Sequence, residues 1–243
     1  MRPYFPRLPS RPQFNRLVRA QQAALTAFAL WLAARLDAAA ALYEVLDGTA
    51  VPTRNAKRRG RGWLAGPTDI GKCLRRGWIH GLRLLVCTAA DGIVTGWGVG
   101  PASTNDRALA ETLFAARTVP QPRLPSVGTP ARSVYVADAG FAGQECEAHW
   151  GATYQAQLVA PPLARAAPTW TARDQRWLAG RRQVVERVIA RLQQPFRLDA
   201  ERPHRLDGFL ARLAAKMGLH NVCLWLNRQH GHPDLALAHL FGW

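Results

Sequence analysis

Lysine is nearly missing from this chain: of 32 basic residues only Lys57, Lys72 and Lys216 are lysines, and the rest are arginines. Acid is scarce as well. Sixteen Asp and Glu leave a formal net charge of +16, which favours a polyanionic partner. Arginine forks onto phosphate through two hydrogen bonds where lysine offers a point charge, although genome base composition favours arginine equally well. Cysteine is limited to Cys73, Cys87, Cys146 and Cys223, none in a Cys-x-x-Cys or zinc-finger spacing. That excludes a zinc ribbon or a dithiol redox site of the familiar kind. His220 with Cys223 comes nearest to a metal pair, and a buried, hydrogen-bonded histidine is the better reading there. No secretory leader is read in the first twenty residues, which hold five arginines and no apolar core, so the thiols are expected to be reduced and cytosolic. The longest apolar run, Ala23 to Ala34, is closed by Arg35 and Asp37 and is too short for a bilayer, so no membrane partner is expected. Repeats and low-complexity tracts are also missing. What is present is enough for a core: 48% hydrophobic residues in 243 positions suit one domain with a small appendage.

Residues 1 to 20 are basic and punctuated by Pro3, Pro6, Pro9 and Pro12, and the chain opens as if a longer N-terminal region were missing. A helix is expected over Gln21 to Ala38. Leu42 to Leu46 reads as a strand ending at Asp47-Gly48-Thr49. Arg54 to Trp63 has no hydrophobic period and reads as an exposed basic loop. Ile79 to Ala89 and Ile93 to Val99 form a hairpin across Asp91-Gly92. Thr104 or Asn105 caps a helix over Arg107 to Ala116. After a proline-rich connection, Ser133 to Ala137 is a strand closed by Asp138-Ala139-Gly140. A short helix follows around Gln144 to Trp150, then a strand over Tyr154 to Val159. Asp174 to Leu192 is a long amphipathic helix broken by Pro195, and a last helix runs from Leu206 to Asn227. Three strands followed by two helical crossovers to further strands imply an α/β protein. The expected fold is ribonuclease H-like: a mixed five-stranded sheet flanked by helices. Its division would be a basic helical segment at 1–40, a catalytic domain at 41–227 and a tail at 228–243.

In such a sheet the first and fourth strands lie side by side in parallel. Asp47 and Asp138 then meet at one sheet edge, each before a small or flexible residue. Glu186 lies on a helical face with Arg182, Ile189 and Gln193 that can pack across that edge. Three clustered carboxylates in so basic a protein call for divalent magnesium. Two such ions about 4 Å apart promote in-line displacement at phosphorus. Each acid has an ordinary alternative: Asp-Gly is a turn dipeptide anywhere, and a helical glutamate is usually solvated. His80, Asp91 and His149 read as structural.

Several segments carry a resemblance beyond these patterns. They are Phe-Pro-Arg-Leu-Pro-Ser-Arg-Pro-Gln-Phe-Asn-Arg (5–16), Asp-Gly-Thr-Ala-Val-Pro-Thr-Arg-Asn-Ala-Lys-Arg (47–58) and Pro-Ala-Ser-Thr-Asn-Asp-Arg (101–107). Val-Ala-Asp-Ala-Gly-Phe-Ala-Gly (136–143), Arg-Gln-Val-Val-Glu-Arg-Val-Ile-Ala-Arg-Leu (182–192) and Leu-Ala-Ala-Lys-Met-Gly-Leu-His-Asn (213–221) complete the set. In this order they resemble a bacterial insertion-sequence transposase with a DDE catalytic domain, nearest to the insertion-sequence 982 family or a relative in the insertion-sequence 4 group. The resemblance implies that Asp47, Asp138 and Glu186 are the catalytic, metal-binding triad. It implies two Mg2+ ions, with Mn2+ able to substitute. Its DNA partners are the element's terminal inverted repeats and a target duplex, joined in a homodimeric assembly in the bacterial cytoplasm, on the nucleoid when bound to DNA. The broader group often has tyrosine and arginine before the glutamate and lysine seven residues after it. Here Arg182 can serve as the arginine, but Ala179 and Gln193 stand at the other two positions.

Arginine-rich patches at 54–61, 75–83 and 181–191 flank the acids. Arg54, Lys57, Arg58, Arg59, Arg61, Arg182, Arg187 and Gln193 are the expected DNA contacts, made to phosphate rather than to bases. Trp63 and Trp78 could stack on an unpaired base. The rival readings are a truncated remnant that binds DNA without cutting it, a host nuclease on the same fold and, more distantly, a ribosomal protein.

Overall fold

A computed structural model describes residues 9–54, 64, 66–73, 76–117, 124–126, 129–162 and 170–236. Among the described residues seven strands form one curled mixed sheet: β1 (Glu44–Arg54), β2 (Asp69–Cys73), β3 (Gly77–Ala89), β4 (Val94–Pro101), β5 (Leu124–Ser126), β6 (Thr129–Val136) and β7 (Ala156–Val159). Their central order is β4-β3-β1-β6-β7. The first three pair antiparallel, and β6 and β7 are parallel additions, as expected for a ribonuclease H-like fold. Two short strands had not been read from the sequence. β2 continues the edge that β4 occupies on β3, and β5 folds back on β6 within the proline-rich connection.

Side-chain alternation separates two cores. Val45, Val51, Leu84, Val86 and Val136 face α5 (Ala172–Gln193) and α6 (Leu206–Gln229). Leu46, Leu85, Cys87, Tyr135 and Ala137 face α3 (Asp106–Ala115) and α4 (Gln144–Tyr154). The result is a helix–sheet–helix sandwich. The Gly96-Trp97-Gly98 alternation in β4 lets α3 approach closely: a Cβ on Gly96 would come within 2.7 Å of Leu113.

The N-terminal stretch is more ordered than its prolines suggested. α1 (Arg11–Ala20) starts at Ser10, whose N–H donates to Gln13 Oε1 at 2.8 Å in a capping box. Pro12 lies in the first turn, where its missing N–H costs nothing. α2 (Gln22–Arg35) packs on α6, with Ala29, Leu32 and Ala33 buried. Among the described residues no single helix is long and apolar enough to cross a membrane. Only α1 and α2 together would be, and they meet at a bend of 56°.

The 213–221 segment acts in this packing. Asn221, fully buried, accepts from Val94 N–H and donates to Val94 C=O, both at 2.9 Å, so its amide completes the hydrogen bonding of β4 like a neighbouring strand. His220 Nε2 lies 3.0 Å from Gly92 C=O at the hairpin turn, and burial lowers its pKa to about 4. That accounts for His220 without a metal role.

Candidate active site

Asp47 is not at the end of its strand, as the Asp-Gly pair had suggested. It lies within β1, paired with Val86 of β3. What ends near it is the neighbouring strand. The parallel ladder between β1 and β6 stops at Val45↔Val136, and two residues further on each chain come Asp47 and Asp138. The same parity places both on the α5 side of the sheet. Asp138 follows β6 in a tight turn and accepts the Gly140 N–H at 2.9 Å. Glu186 sits on α5, which packs across β1.

All three carboxylates line one cleft of about 390 Å³, together with Lys72, Arg76, Arg83, Arg182 and Gln193. Arg182 Nη2 stands 3.4 Å from Glu186 Oε1 and 4.0 Å from Asp47 Oδ1. Burial pushes the Asp47 carboxyl up to about 6. The Asp138 and Glu186 charges push the same way, against Arg182 and the Gly48 N–H. The other two acids are thus near enough to oppose the ionisation of Asp47. Yet no three His, Cys, Asp or Glu side chains among the described residues are gathered closely enough to share one ion. The donor set still fits a hard divalent cation in kind: oxygen ligands only, and a buried carboxyl short of compensating charge. Arg182 supplies the nearest compensation at present.

The other expected site residues divide. Lys57, Arg58, Arg59 and Arg61 lie outside the described residues, as do Trp63 and Arg75, and of Arg54 only the backbone at the end of β1 is described. Arg187 is exposed on α5 and does not line the cleft. Gln193 donates to Thr49 Oγ1 at 2.8 Å and so fastens the end of α5 to β1. The patch read at 75–83 is not a free cationic face, because Arg76 pairs with Asp199 and Arg83 pairs with Asp106. Arg191 donates to the Leu235 carbonyl. Sequence reasoning missed Lys72, which β2 carries to the cleft, and the partners of Arg83. The Asn-Asp-Arg run at 105–107 was visible only as a helix start, and Asn105 does accept the Arg107 N–H at 2.9 Å.

No match was found among curated proteins or among solved structures. A family model described as transposase DDE domain matches residues 45–222. The match opens two residues before Asp47 and closes just beyond Asn221, so it takes in the sheet, the cleft and the helix beneath it. The chain belongs to the transposase DDE domain family.

Proposed function

We propose that this chain cuts the ends of a bacterial insertion sequence and joins them to target DNA, with Asp47, Asp138 and Glu186 as its catalytic carboxylates. The observation that carries the reading is the shared register of Asp47 and Asp138, two residues past the last parallel pair, with Glu186 facing the same cleft. These three would hold Mg2+, or Mn2+ in its place, as two ions. Once bound, the ions supply Lewis acidity for in-line displacement at phosphorus. In the first step water attacks a phosphodiester, the bond to the 3′ oxygen breaks, and that oxygen leaves as a 3′-hydroxyl. In the second step the freed 3′-hydroxyl attacks a target phosphodiester, one P–O bond replacing another without an external energy source.

The surrounding residues position phosphate. Arg182, poised between Asp47 and Glu186, can swing its fork to a phosphate oxygen once metal neutralises the carboxylates. An amide carries two donor hydrogens, so Gln193 can hold Thr49 and a phosphate together. Arg187 and the basic segment with Arg54, Lys57, Arg58, Arg59 and Arg61 would track the duplex backbone. The working assembly is a homodimer on the terminal inverted repeats and target.

Asp138→Asn tests this reading. The change keeps the side chain's shape and its acceptor for the Gly140 N–H but removes a charge. Magnesium-dependent nicking of the element's own ends is expected to fall below detection, with duplex binding within about twofold of the unaltered protein. Full cleavage by the purified variant would reject the assignment.

A further inference from the structure

We propose that Asp106 and Arg107, adjacent at the start of α3, are positioning residues that brace the Asp47 and Asp138 segments from the opposite face of the sheet. The inference rests on the reading of those aspartates as catalytic.

Each residue holds one segment. Asp106 binds the Arg83 guanidinium through both oxygens, with Nε to Oδ1 at 2.6 Å. Arg83 sits on β3 opposite Ala50 of β1. The Asp106 carboxylate also lies directly against Gly48, the residue after Asp47. A Cβ on Gly48 would come within 2.5 Å of both Asp106 oxygens, closer than real contacts allow. Gly48 is therefore needed to let β1 rest on this ion pair, which explains the glycine of Asp47-Gly48 better than a turn does.

Arg107 grips the other segment. Its Nε donates to Gly140 C=O at 2.9 Å, and its Nη2 donates to Ala142 C=O. The Gly140 N–H in turn donates to Asp138 Oδ1 at 2.9 Å. A two-bond chain thus runs from the guanidinium, through the backbone of Gly140 alone, to a carboxylate oxygen. Gly143 closes the turn against the same guanidinium, since a Cβ there would meet Arg107 Nη1 at 3.2 Å. Both braces start from one helix end, capped by Asn105. Two carboxylates on separate segments, one in β1 and one just past β6, are thereby referenced to a single rigid element. Sites of this kind tolerate only about 0.5 Å of misplacement. Arginine's planar fork suits the task, because lysine could reach one of the two carbonyls but not hold both in a fixed plane.

The test compares Arg107→Ala, Arg107→Lys and Asp106→Asn with Asp138→Asn in the full chain. For Arg107→Ala, Mn2+ affinity without DNA and cleavage at limiting Mn2+ should both fall roughly 10- to 100-fold, as for lost outer-shell partners. Cleavage should recover at high Mn2+, and amide exchange across 138–143 should speed up. Duplex affinity should stay unchanged. Arg107→Lys should fall between the two. Asp106→Asn keeps the carboxylate's shape and covers the case in which Arg107→Ala fails to fold; it should weaken Mn2+ binding in the same direction. Unaltered Mn2+ affinity and exchange in Arg107→Ala, or in Asp106→Asn if the former does not fold, would overturn the brace. Cleavage surviving Asp138→Asn would instead overturn the catalytic reading beneath it, whatever Arg107 does.

Discussion

Without metal, Asp47 should cost the protein stability at neutral pH, and Asp47→Asn should recover it. The folded carboxyl titrates near 6, where the unfolded chain titrates near 3.8, chiefly because the group is buried. One pKa unit corresponds to about 1.36 kcal/mol, so the two-unit shift is worth roughly 3 kcal/mol. The side chain is 18% exposed, so solvent screening trims this only slightly. The sign follows from proton counting. Below the unfolded value both states carry the proton and stability is whole. Between about 4 and 6 the unfolded chain releases it while the folded chain keeps it, so stability falls as pH rises through 6 and then levels off. Asparagine resembles the protonated acid and cannot ionise. Urea unfolding in EDTA should therefore find Asp47→Asn equal to the unaltered protein near pH 3 and about 3 kcal/mol more stable near pH 7.5. Taking the difference between the proteins cancels the other carboxylates. Added Mg2+ should then stabilise the unaltered protein and leave the variant where it was. A difference that does not change with pH, or a variant less stable at pH 7.5, would refute the reasoning.

His220 should produce the opposite slope. Its folded pKa is depressed to about 4 against 6.5, so its contribution is whole above 6.5 and fades by about 3 kcal/mol as pH falls to 4; in His220→Gln, urea midpoints at pH 5 and 7 should differ less than in the unaltered protein. The Arg117–Glu44 pair is sealed beneath β1, with side chains 2% and 0% exposed, and Thr95 also donates to Glu44. Arg117→Met should cost about 3–5 kcal/mol in urea unfolding by stranding the carboxylate, and adding Glu44→Leu should restore most of it; equal damage in the single and double variants would show that packing, not charge, is at stake.

The strands that alternate cleanly and the long helices were legible because each is set by its own hydrophobic period. β3, with its hairpin at Asp91-Gly92, and α5 needed nothing from the rest of the chain. α1 was lost because Pro12 reads as a breaker unless Ser10 is recognised as the cap before it. β2 was lost because a five-residue strand ending in Lys72 and Cys73 is held by its partner β3, not by its own pattern. The three acids that line the cleft could be named from strand ends and helix faces. Their supports could not. The Arg83–Asp106 and Arg107–Gly140 contacts join residues 23 and 33 positions apart, and no local spacing encodes such a meeting. The 213–221 segment could likewise be matched to a family without a role being visible, because the role is a buried amide completing a strand 127 residues away.

The mistaken end of β1 is the most instructive difference. A strand end and a missing neighbour look alike in sequence, since both put a polar residue after an apolar run. Here β1 runs on through Asp47 to Arg54, held by β3, while β6 stops at Val136. The cleft is the space that a longer β6 would have filled. Asp47 is therefore anchored by a full ladder on one side and open on the other. That arrangement allows a buried carboxyl to be both rigid and accessible. A carboxylate at a true strand end would be better solvated, with a pKa nearer the ordinary range and a looser position. The burial that raises Asp47 to about 6 and the rigidity that presents it to the cleft thus have one cause, the unequal lengths of two adjacent strands. Stability at this position is given up to hold a buried charge in a fixed place.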